Sequence, residues 1–337
     1  MKSSYVELYE IGKSRVTEEE IDTSNLKENE VIVEADYSMI SAGTELSRAF
    51  ALKKGFKYPV RPGYSMVGTV IDKGSNIDVE IGDKVFCGAI HASVCRYMVN
   101  NKTQGNFLLK LPNDIDLKDA TAINLCLIAM QGVNISEVKL NDTVAIFGLG
   151  NIGILCGLMY QKLGCKVIGL DMVENRCKLA SEMGIKIVSS NKDQEQVINE
   201  LTNNKGVDIA VDVTGVSPAI VSAINVTKKY GQVVLLGSPR VGYECDITPV
   251  LNRIHMKNLK VLGAFNETCP VNNAEGRDDS VYKNFENICQ LIKNKDIDIS
   301  KLISRAIDPK DCEQAYYDLM YNKDKVNCIV YDWSNYK

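Results

Sequence analysis

The chain has 337 residues, 45% of them hydrophobic and 24% charged, with a formal net charge of −4. That length exceeds one ordinary core and suits two domains, and the balance is that of a soluble globular protein. Both signs of charge are spread along the chain without a basic block, which argues against nucleic acid as the main partner; no apolar run approaches the roughly 18 residues of a membrane span, and the N-terminal "MKSSYVELYEIGKSRVTEEE" lacks the apolar core of a signal peptide, so a cytoplasmic location is expected.

Residues 1 to about 115 read as short strands cut by Gly, Pro and Asp. "EVIVEADY" (30–37) alternates as a half-buried strand does, and "VGTVIDKG" (67–74) and "IGDKVFCGAI" (81–90) read as neighbouring strands with Gly82-Asp83 supplying turn chemistry. From about residue 118 the rhythm changes. "DATAINLCLIAMQGV" (119–133) is helical in character, and strands follow at 143–148, 166–171, 185–190, 207–214, 231–237 and 259–265, with helical segments between the first five. This alternation predicts a doubly wound parallel sheet. Near the C-terminus, "SVYKNFENICQLIKN" (280–294) puts Phe285, Ile288 and Ile292 on one helical face. Pro309 stands at the entry of a further helix, and "KVNCIVYDW" (325–333) closes as a strand. The domains are expected at 1–118, 119–265 and 266–337, the last returning to the first. Eleven cysteines, an odd number with no C-x-x-C spacing, read as reduced and mostly buried residues rather than a disulfide framework or a four-thiolate zinc site.

The strongest local signal is "VAIFGLGNIGILCGLMYQKLGCKVIGLD" (144–171). Gly148, Gly150 and Gly153 make G-x-G-x-x-G between an apolar strand and a helix. Gly148 permits the tight turn, Gly150 leaves room for a pyrophosphate and Gly153 lets the helix pack against the strand. The helix starting at Asn151 and Ile152 would aim its N–H groups at the phosphates. Asp171 ends the next strand at the spacing of a ribose contact. Its carboxylate suits the two ribose hydroxyls of NAD and repels the 2′-phosphate of NADP, so NAD is the expected cofactor. Arg176 reads either as a phosphate contact or as a solvated helix charge. Thr214 in "VTG" and Gly237 with Ser238 in "LGS" end the fourth and fifth strands, where such sheets bind ligands.

With "SAGTEL" (41–46), "RPGYSMVGTV" (61–70), "IGDKV" (81–85) and "GLGNIG" (148–153) in this order, the chain resembles the medium-chain dehydrogenase/reductase superfamily over nearly its full length. The resemblance implies an α/β fold: a GroES-like, strand-rich catalytic domain plus a Rossmann doubly wound sheet. It also implies pairing of subunits through the last strand of that sheet, giving a homodimer or homotetramer. Zinc members of the superfamily carry metal ligands at positions that match Ala42, Tyr64 and, in polyol-type members, about Asn124; an adjacent Glu matches Ser65. None of these is a usual zinc ligand. No cysteine lobe follows Cys95. The expectation is therefore a zinc-lacking member. The Ser-x-Gly-Thr-Glu and Pro-Gly-Tyr variants resemble a branch with bacteriochlorophyllide hydroxyethyl dehydrogenase and saccharide-linked oxidoreductases, which implies a secondary alcohol and its ketone as the reacting pair.

Without a metal, hydroxyl and imidazole groups must handle the proton. Thr44 matches the family's proton-relaying Ser/Thr, or else caps the "ELSRAF" turn. Tyr64 takes the metal-ligand position and so should face the nicotinamide, or else is a packed tyrosine. Glu45 matches an acid that orients its neighbours, or else pairs with a basic side chain. His91 falls where relatives place a loop near the substrate, and an imidazole is the natural proton carrier near neutrality; otherwise it is a surface or core residue. His255 favours a surface or core role. The leading expectation is an NAD-dependent, zinc-independent dehydrogenase of a secondary alcohol, such as a polyol or sugar derivative. The alternatives are an NADPH-dependent quinone or enoyl reductase, which Asp171 opposes, and a non-catalytic dinucleotide-binding protein.

Overall fold

The computed structural model describes residues 1–52, 55–100, 106–239, 242–273 and 279–336. The N-terminal stretch forms β1 (Lys2–Glu10), β2 (Lys13–Glu20), β3 (Glu30–Met39), α1 (Thr44–Ala49), β4 (Met66–Lys73), β5 (Lys84–Cys87), β6 (Val94–Met98) and β7 (Leu108–Lys110). Where the sequence reads as helical over 119–133, there are two helices, α2 (Leu117–Ala120) and α3 (Ile123–Asn134). The Asp116 side chain caps α2 by accepting from the Lys118 and Asp119 amides, and the Thr121 hydroxyl turns back onto the Lys118 carbonyl, ending that single turn. The alternating region runs β8 (Thr143–Phe147), α4 (Asn151–Lys162), β9 (Lys166–Leu170), α5 (Glu174–Glu182), β10 (Ile187–Ser189), α6 (Gln194–Leu201) and β11 (Val207–Asp212). It continues with α7 (Ser217–Val226), β12 (Thr227–Leu235), α8 (Thr248–Lys257) and β13 (Lys260–Gly263). The last stretch holds α9 (Val281–Lys293), β14 (Ile303–Ile307), α10 (Cys312–Tyr321) and β15 (Cys328–Asp332).

The chain divides into two compact units, Met1–Asn124 with Pro270–Lys337, and Leu125–Cys269. In the first, the strands run in the order β14-β15-β3-β4-β5-β7, with β6 also on β3, beside the β1–β2 hairpin. The Gly82-Asp83 turn joins β4 to β5: Gly82 has φ +94° and donates to the Val70 carbonyl, and the Val70 amide donates to the Asp83 carbonyl. Alternating residues of β3, Val31, Val33 and Ala35, enter a core with Met66, Val70, Val85, Tyr316 and Trp333. The C-terminal return matters most for the site. β15 pairs antiparallel with β3, Tyr331 opposite Ser38 and Val330 opposite Met39, so residues near the chain's end stand beside the strand that feeds α1. On α9, Phe285, Ile288 and Ile292 are buried, as their spacing predicts.

The second unit is a six-stranded parallel sheet ordered β10-β9-β8-β11-β12-β13. The order reverses between β8 and β11, the switch point where doubly wound sheets take ligands. Both faces of the sheet are covered, so β8 and the middle of β11 read as apolar stretches: Val144, Ala145, Ile146, Val211 and Ala210 are all fully buried. β13 is an edge strand, with Val261 41% exposed and Phe265 just beyond it 57% exposed. Ten cysteines are buried thiols and Cys245 is exposed. Among the described residues no helix is long and apolar enough to cross a membrane.

Candidate active site

All four catalytic candidates lie in the first unit. At the end of β3 the chain turns through Ile40 to Gly43 into α1, whose first turn carries Thr44 and Glu45. Gly43 is the N-cap and no side chain caps this helix, so the Thr44 hydroxyl is not spent on it; Thr44 is exposed. The "RPGYS" turn approaches from the side. Gly63 has φ +113°, and a Cβ there would collide with the His91 backbone amide, which itself donates to the Pro62 carbonyl. Only glycine allows this close approach. It sets down Tyr64 so that its hydroxyl donates to the Ser41 hydroxyl. Ser65 is buried and donates to the Thr121 carbonyl at 2.6 Å, holding the turn from below. Burial pushes the Tyr64 phenol above its ordinary value, and the nearby Glu45 charge adds to this; hydrogen bonds with Ser41 and Thr44 pull the other way.

Beneath that hydroxyl cluster lies a buried polar network. Glu45 is 1% exposed. Its Oε1 accepts from the Ser41 amide at 2.9 Å, and its Oε2 accepts from the Tyr316 hydroxyl at 2.7 Å and lies 2.9 Å from His91 Nε2. Among the described residues the basic side chain it meets is thus the His91 imidazole. His91 is fully buried. Its Nδ1 lies 2.8 Å from the Ser38 hydroxyl, which also receives the Trp333 indole N–H at 3.0 Å, and the Tyr331 ring meets the imidazole edge-on at 5.0 Å between centroids. The imidazole therefore has both nitrogens engaged with protein groups and none turned to solvent. His255 lies on α8, exposed.

Sequence reasoning missed Ser38, Ser41, Tyr316, Tyr331 and Trp333. Ser41 sits in the quoted "SAGTEL" motif, but only its contact with Tyr64 marks it out. Tyr316 and Trp333 stand 271 and 295 positions from their partners Glu45 and Ser38, a distance no local pattern spans. Ala42 and Asn124 bring no thiolate, imidazole or carboxylate, and among the described residues no three His, Cys, Asp or Glu side chains converge as metal ligands do. The donor set at these positions does not fit a zinc ion.

The cofactor candidates lie in the second unit, at the C-terminal ends of β8, β9, β11 and β12. Gly148 has φ +99°, and a Cβ there would come within 2.7 Å of Thr214 Cγ2, so the turns after β8 and β11 touch. A Cβ on Gly153 would overlap the Gly148 carbonyl oxygen; this glycine serves helix–strand packing. Gly150 differs. It has ordinary φ −72° and ψ −178°, and an added Cβ meets nothing within 4 Å. The fold does not need glycine there, whereas a ligand lying against the backbone does. Gly150 is also the N-cap of α4 without a side-chain cap, and the first amide bonded back to it is that of Ile154, so the N-terminal turn of Asn151, Ile152 and Gly153 offers the helix-end donors that suit a phosphate.

Asp171 is 6% exposed at the end of β9. Its Oδ2 accepts from the Leu149 amide at 2.8 Å and from Arg176 Nη1, and its Oδ1 accepts from the Val173 amide at 2.9 Å, leaving Oδ1 a further lone pair. Arg176, on α5, places Nη1 3.5 Å from Asp171 Oδ2. The Thr214 hydroxyl donates to Asp212 Oδ1 at 2.6 Å and accepts from the Val216 amide at 3.0 Å. Asp212, which sequence reasoning passed over, is fully buried; its carboxylate organises this turn by also accepting from the Thr214 and Gly215 amides, and burial raises it above the usual carboxylate range. The Gly237 amide donates to the Asp212 carbonyl, and a Cβ on Gly237 would collide with the Gly215 amide, so the turns after β11 and β12 also touch. Ser238 is exposed beside them.

Residues 151–275 match the model of a zinc-binding dehydrogenase family, and residues 27–113 that of the alcohol dehydrogenase GroES-like domain. A sorbitol dehydrogenase of Bombyx mori is 24% identical over 297 residues, spanning 75% of this chain and 82% of that protein. The structure of galactitol-1-phosphate dehydrogenase from Escherichia coli superposes with a TM-score of 0.82 at 19% identity, over 98% of this chain and 99% of that one. A zinc-binding dehydrogenase structure from Sinorhizobium meliloti 1021, bound to NADP, superposes with a TM-score of 0.78 at 18% identity, over 98% and 99% of the two chains.

Proposed function

The chain belongs to the zinc-type medium-chain dehydrogenase/reductase superfamily, and from that premise we propose that it is an NAD(H)-dependent oxidoreductase interconverting a secondary alcohol, of the polyol or sugar-derived kind, and its ketone, without a catalytic zinc. One observation carries the zinc-independent part. At the position where zinc relatives hold their metal, a half-buried phenol, Tyr64, meets two hydroxyl side chains above a buried carboxylate. The names of the relatives, sorbitol dehydrogenase and D-xylulose reductase among them, support a CH–OH substrate.

The empty space at Gly150, the uncapped start of α4 and the carboxylate at Asp171 fit a dinucleotide. Gly150 with the first turn of α4 would hold its pyrophosphate, and Asp171 would take its adenosine ribose. A bound nicotinamide supplies the hydride acceptor or donor. The rest falls to the chain. Tyr64 is kept protonated by burial and by the negative charge of Glu45, so at neutral pH it acts as a hydrogen-bond donor, polarising a ketone oxygen and delivering the proton as charge develops there. Ser41 and Thr44 hold the phenol's proton position between turnovers and stabilise the phenolate when it forms. His91, walled in by Ser38 and Glu45, orients these groups and does not exchange protons with substrate. Asp171 supports NAD over NADP because its carboxylate, already accepting two amides, leaves no room for a second anion; the nearby Arg176 is turned to Asp171. The exposed edge of β13, with Val261 and Phe265, supports association with a second copy, and the acidic composition, with no membrane-crossing helix among the described residues, supports a cytoplasmic location.

The test is a panel of polyols and sugar alcohols, and their ketones, assayed with each dinucleotide before and after prolonged chelation, alongside elemental analysis. The expected result is higher kcat/KM with NAD(H), undiminished turnover after chelator, and far less than one zinc per chain. A higher kcat/KM with NADP(H) overturns the cofactor reading. Loss of turnover on chelation with recovery on added Zn²⁺ overturns the zinc-free reading.

A further inference from the structure

The buried side chains beneath Tyr64 come from distant parts of the first unit and leave few choices for their hydrogen atoms. The Trp333 indole nitrogen can only donate, and it donates to the Ser38 oxygen at 3.0 Å. Ser38 is fully buried, and its hydroxyl hydrogen has one acceptor within reach, His91 Nδ1 at 2.8 Å. Were Nδ1 to carry a proton instead, the Ser38 oxygen would face two donors and its own hydrogen would be buried without a partner, an arrangement proteins avoid. With Nδ1 accepting, the ring proton sits on Nε2, aimed at Glu45 Oε2 at 2.9 Å. Tyr316 donates to the same oxygen, and the Ser41 amide to the other. The donor hydrogens of Trp333, Ser38, His91 and Tyr316 then each have an acceptor.

We propose that Trp333, Ser38 and Tyr316 are positioning residues of the reaction: they impose a one-way hydrogen-bond chain, Trp333 to Ser38 to His91 to Glu45, that locks the His91 tautomer and clamps Glu45 onto the Ser41 amide, thereby fixing the hydroxyl partner of Tyr64. This rests on the reading of Tyr64 as the group that meets the substrate oxygen. It assigns a role to the C-terminal return: α10 supplies Tyr316, the residue just beyond β15 is Trp333, and the pairing of Tyr331 with Ser38 sets the register of that end of the chain. It also gives His91 a structural direction and not a proton-carrying duty. The ionisable groups around the imidazole are Glu45 on α1, Tyr316 on α10 and Tyr331 on β15, whose ring packs edge-on against it. Burial pushes both phenols far above their ordinary values, so neither offers an alternative charge near neutrality.

The chain has two histidines, and His255 is exposed on α8, so a His255→Gln protein labelled with ¹⁵N-histidine reports His91 alone. The expected spectrum shows an unprotonated Nδ1 and a slowly exchanging Nε2 proton. A protonated Nδ1, as the other tautomer or as imidazolium, overturns the proposal. Ser38→Ala and Tyr316→Phe each remove one hydroxyl and little volume, and are safer than Trp333→Phe, which opens a cavity. Both are expected to lower kcat by about 10- to 100-fold, the penalty of a slightly misplaced catalytic group, with KM and NADH affinity close to the parent. Ser38→Ala is also expected to free Nδ1 from its donor and allow both tautomers in the spectrum. Unchanged kcat in both folded variants overturns the positioning role. The two levels of failure separate, because the spectrum is read without substrate: normal turnover in Tyr64→Phe would retire the reading of Tyr64 itself, whatever the tautomer of His91.

Discussion

A methyl group added at Gly150 meets no heavy atom within 4 Å, and the backbone there, φ −72° and ψ −178°, is one that alanine adopts freely. The stability of Gly150→Ala can therefore be worked out. Restricting the unfolded chain favours the variant by about 0.4–1 kcal/mol. Replacing glycine at a helix N-cap by alanine costs about 0.5–1 kcal/mol. The two nearly cancel, so the folded protein should melt close to the parent. Dinucleotide binding should not survive so well. The new methyl would occupy the space proposed for the pyrophosphate and hold it off the helix-end amides; losing one charge-assisted hydrogen bond costs about 1.5–3 kcal/mol, or roughly 10- to 100-fold in Kd. Gly153→Ala is the contrasting control, because its Cβ would overlap the Gly148 carbonyl oxygen. It should destabilise the fold by about 1–3 kcal/mol in the absence of any ligand. The assay is a thermal melt of each apo protein with an NADH fluorescence titration beside it. If Gly150→Ala binds NADH as tightly as the parent while remaining folded, the space at Gly150 is not where the phosphates lie.

Tyr64→Phe removes the phenol proposed to polarise the substrate oxygen and should lower kcat by about 10²- to 10³-fold in ketone reduction, with the NADH Kd unchanged; steady-state kinetics that show less than a few-fold loss would remove Tyr64 from the chemistry. Asp119, on α2, tests pH dependence. Burial, with the nearby Asp116 charge adding to it, raises its carboxyl to about 6 from the usual 3.8, and its Oδ1 is buried without a partner. Its folded-state value lies above its unfolded one, so its stabilising contribution is complete below about pH 4 and lost as pH rises through about 6. Two units would be worth about 3 kcal/mol, which partial exposure reduces to about 1 kcal/mol. Asp119→Asn should thus melt higher than the parent above pH 6 and together with it near pH 4, and a constant difference across that range would contradict the assignment.

Local patterns decided a great deal about this chain. The apolar stretches within 143–148 and 207–214 are legible as buried parallel strands because a strand covered on both faces needs no polar alternation. The G-x-G-x-x-G turn and Asp171 are legible as one candidate dinucleotide site because all its parts come from one strand–helix–strand unit, where spacing in sequence sets distance in space. Even the Pro-Gly-Tyr turn could be picked out as a candidate from its place in the motif order. What lay inside the first unit could not be read in that way. The partners of Glu45 and Ser38 come from α10 and from the residue just beyond β15, and only the antiparallel pairing of β15 with β3 brings them there. His91 reads from its sequence as a proton carrier, because imidazole chemistry suits that task; the fold buries it completely and occupies both nitrogens. Residue type states what a group is able to do. Which hydrogen bonds it makes once water is excluded depends on neighbours that the chain delivers from hundreds of positions away, and that was decided by tertiary packing alone.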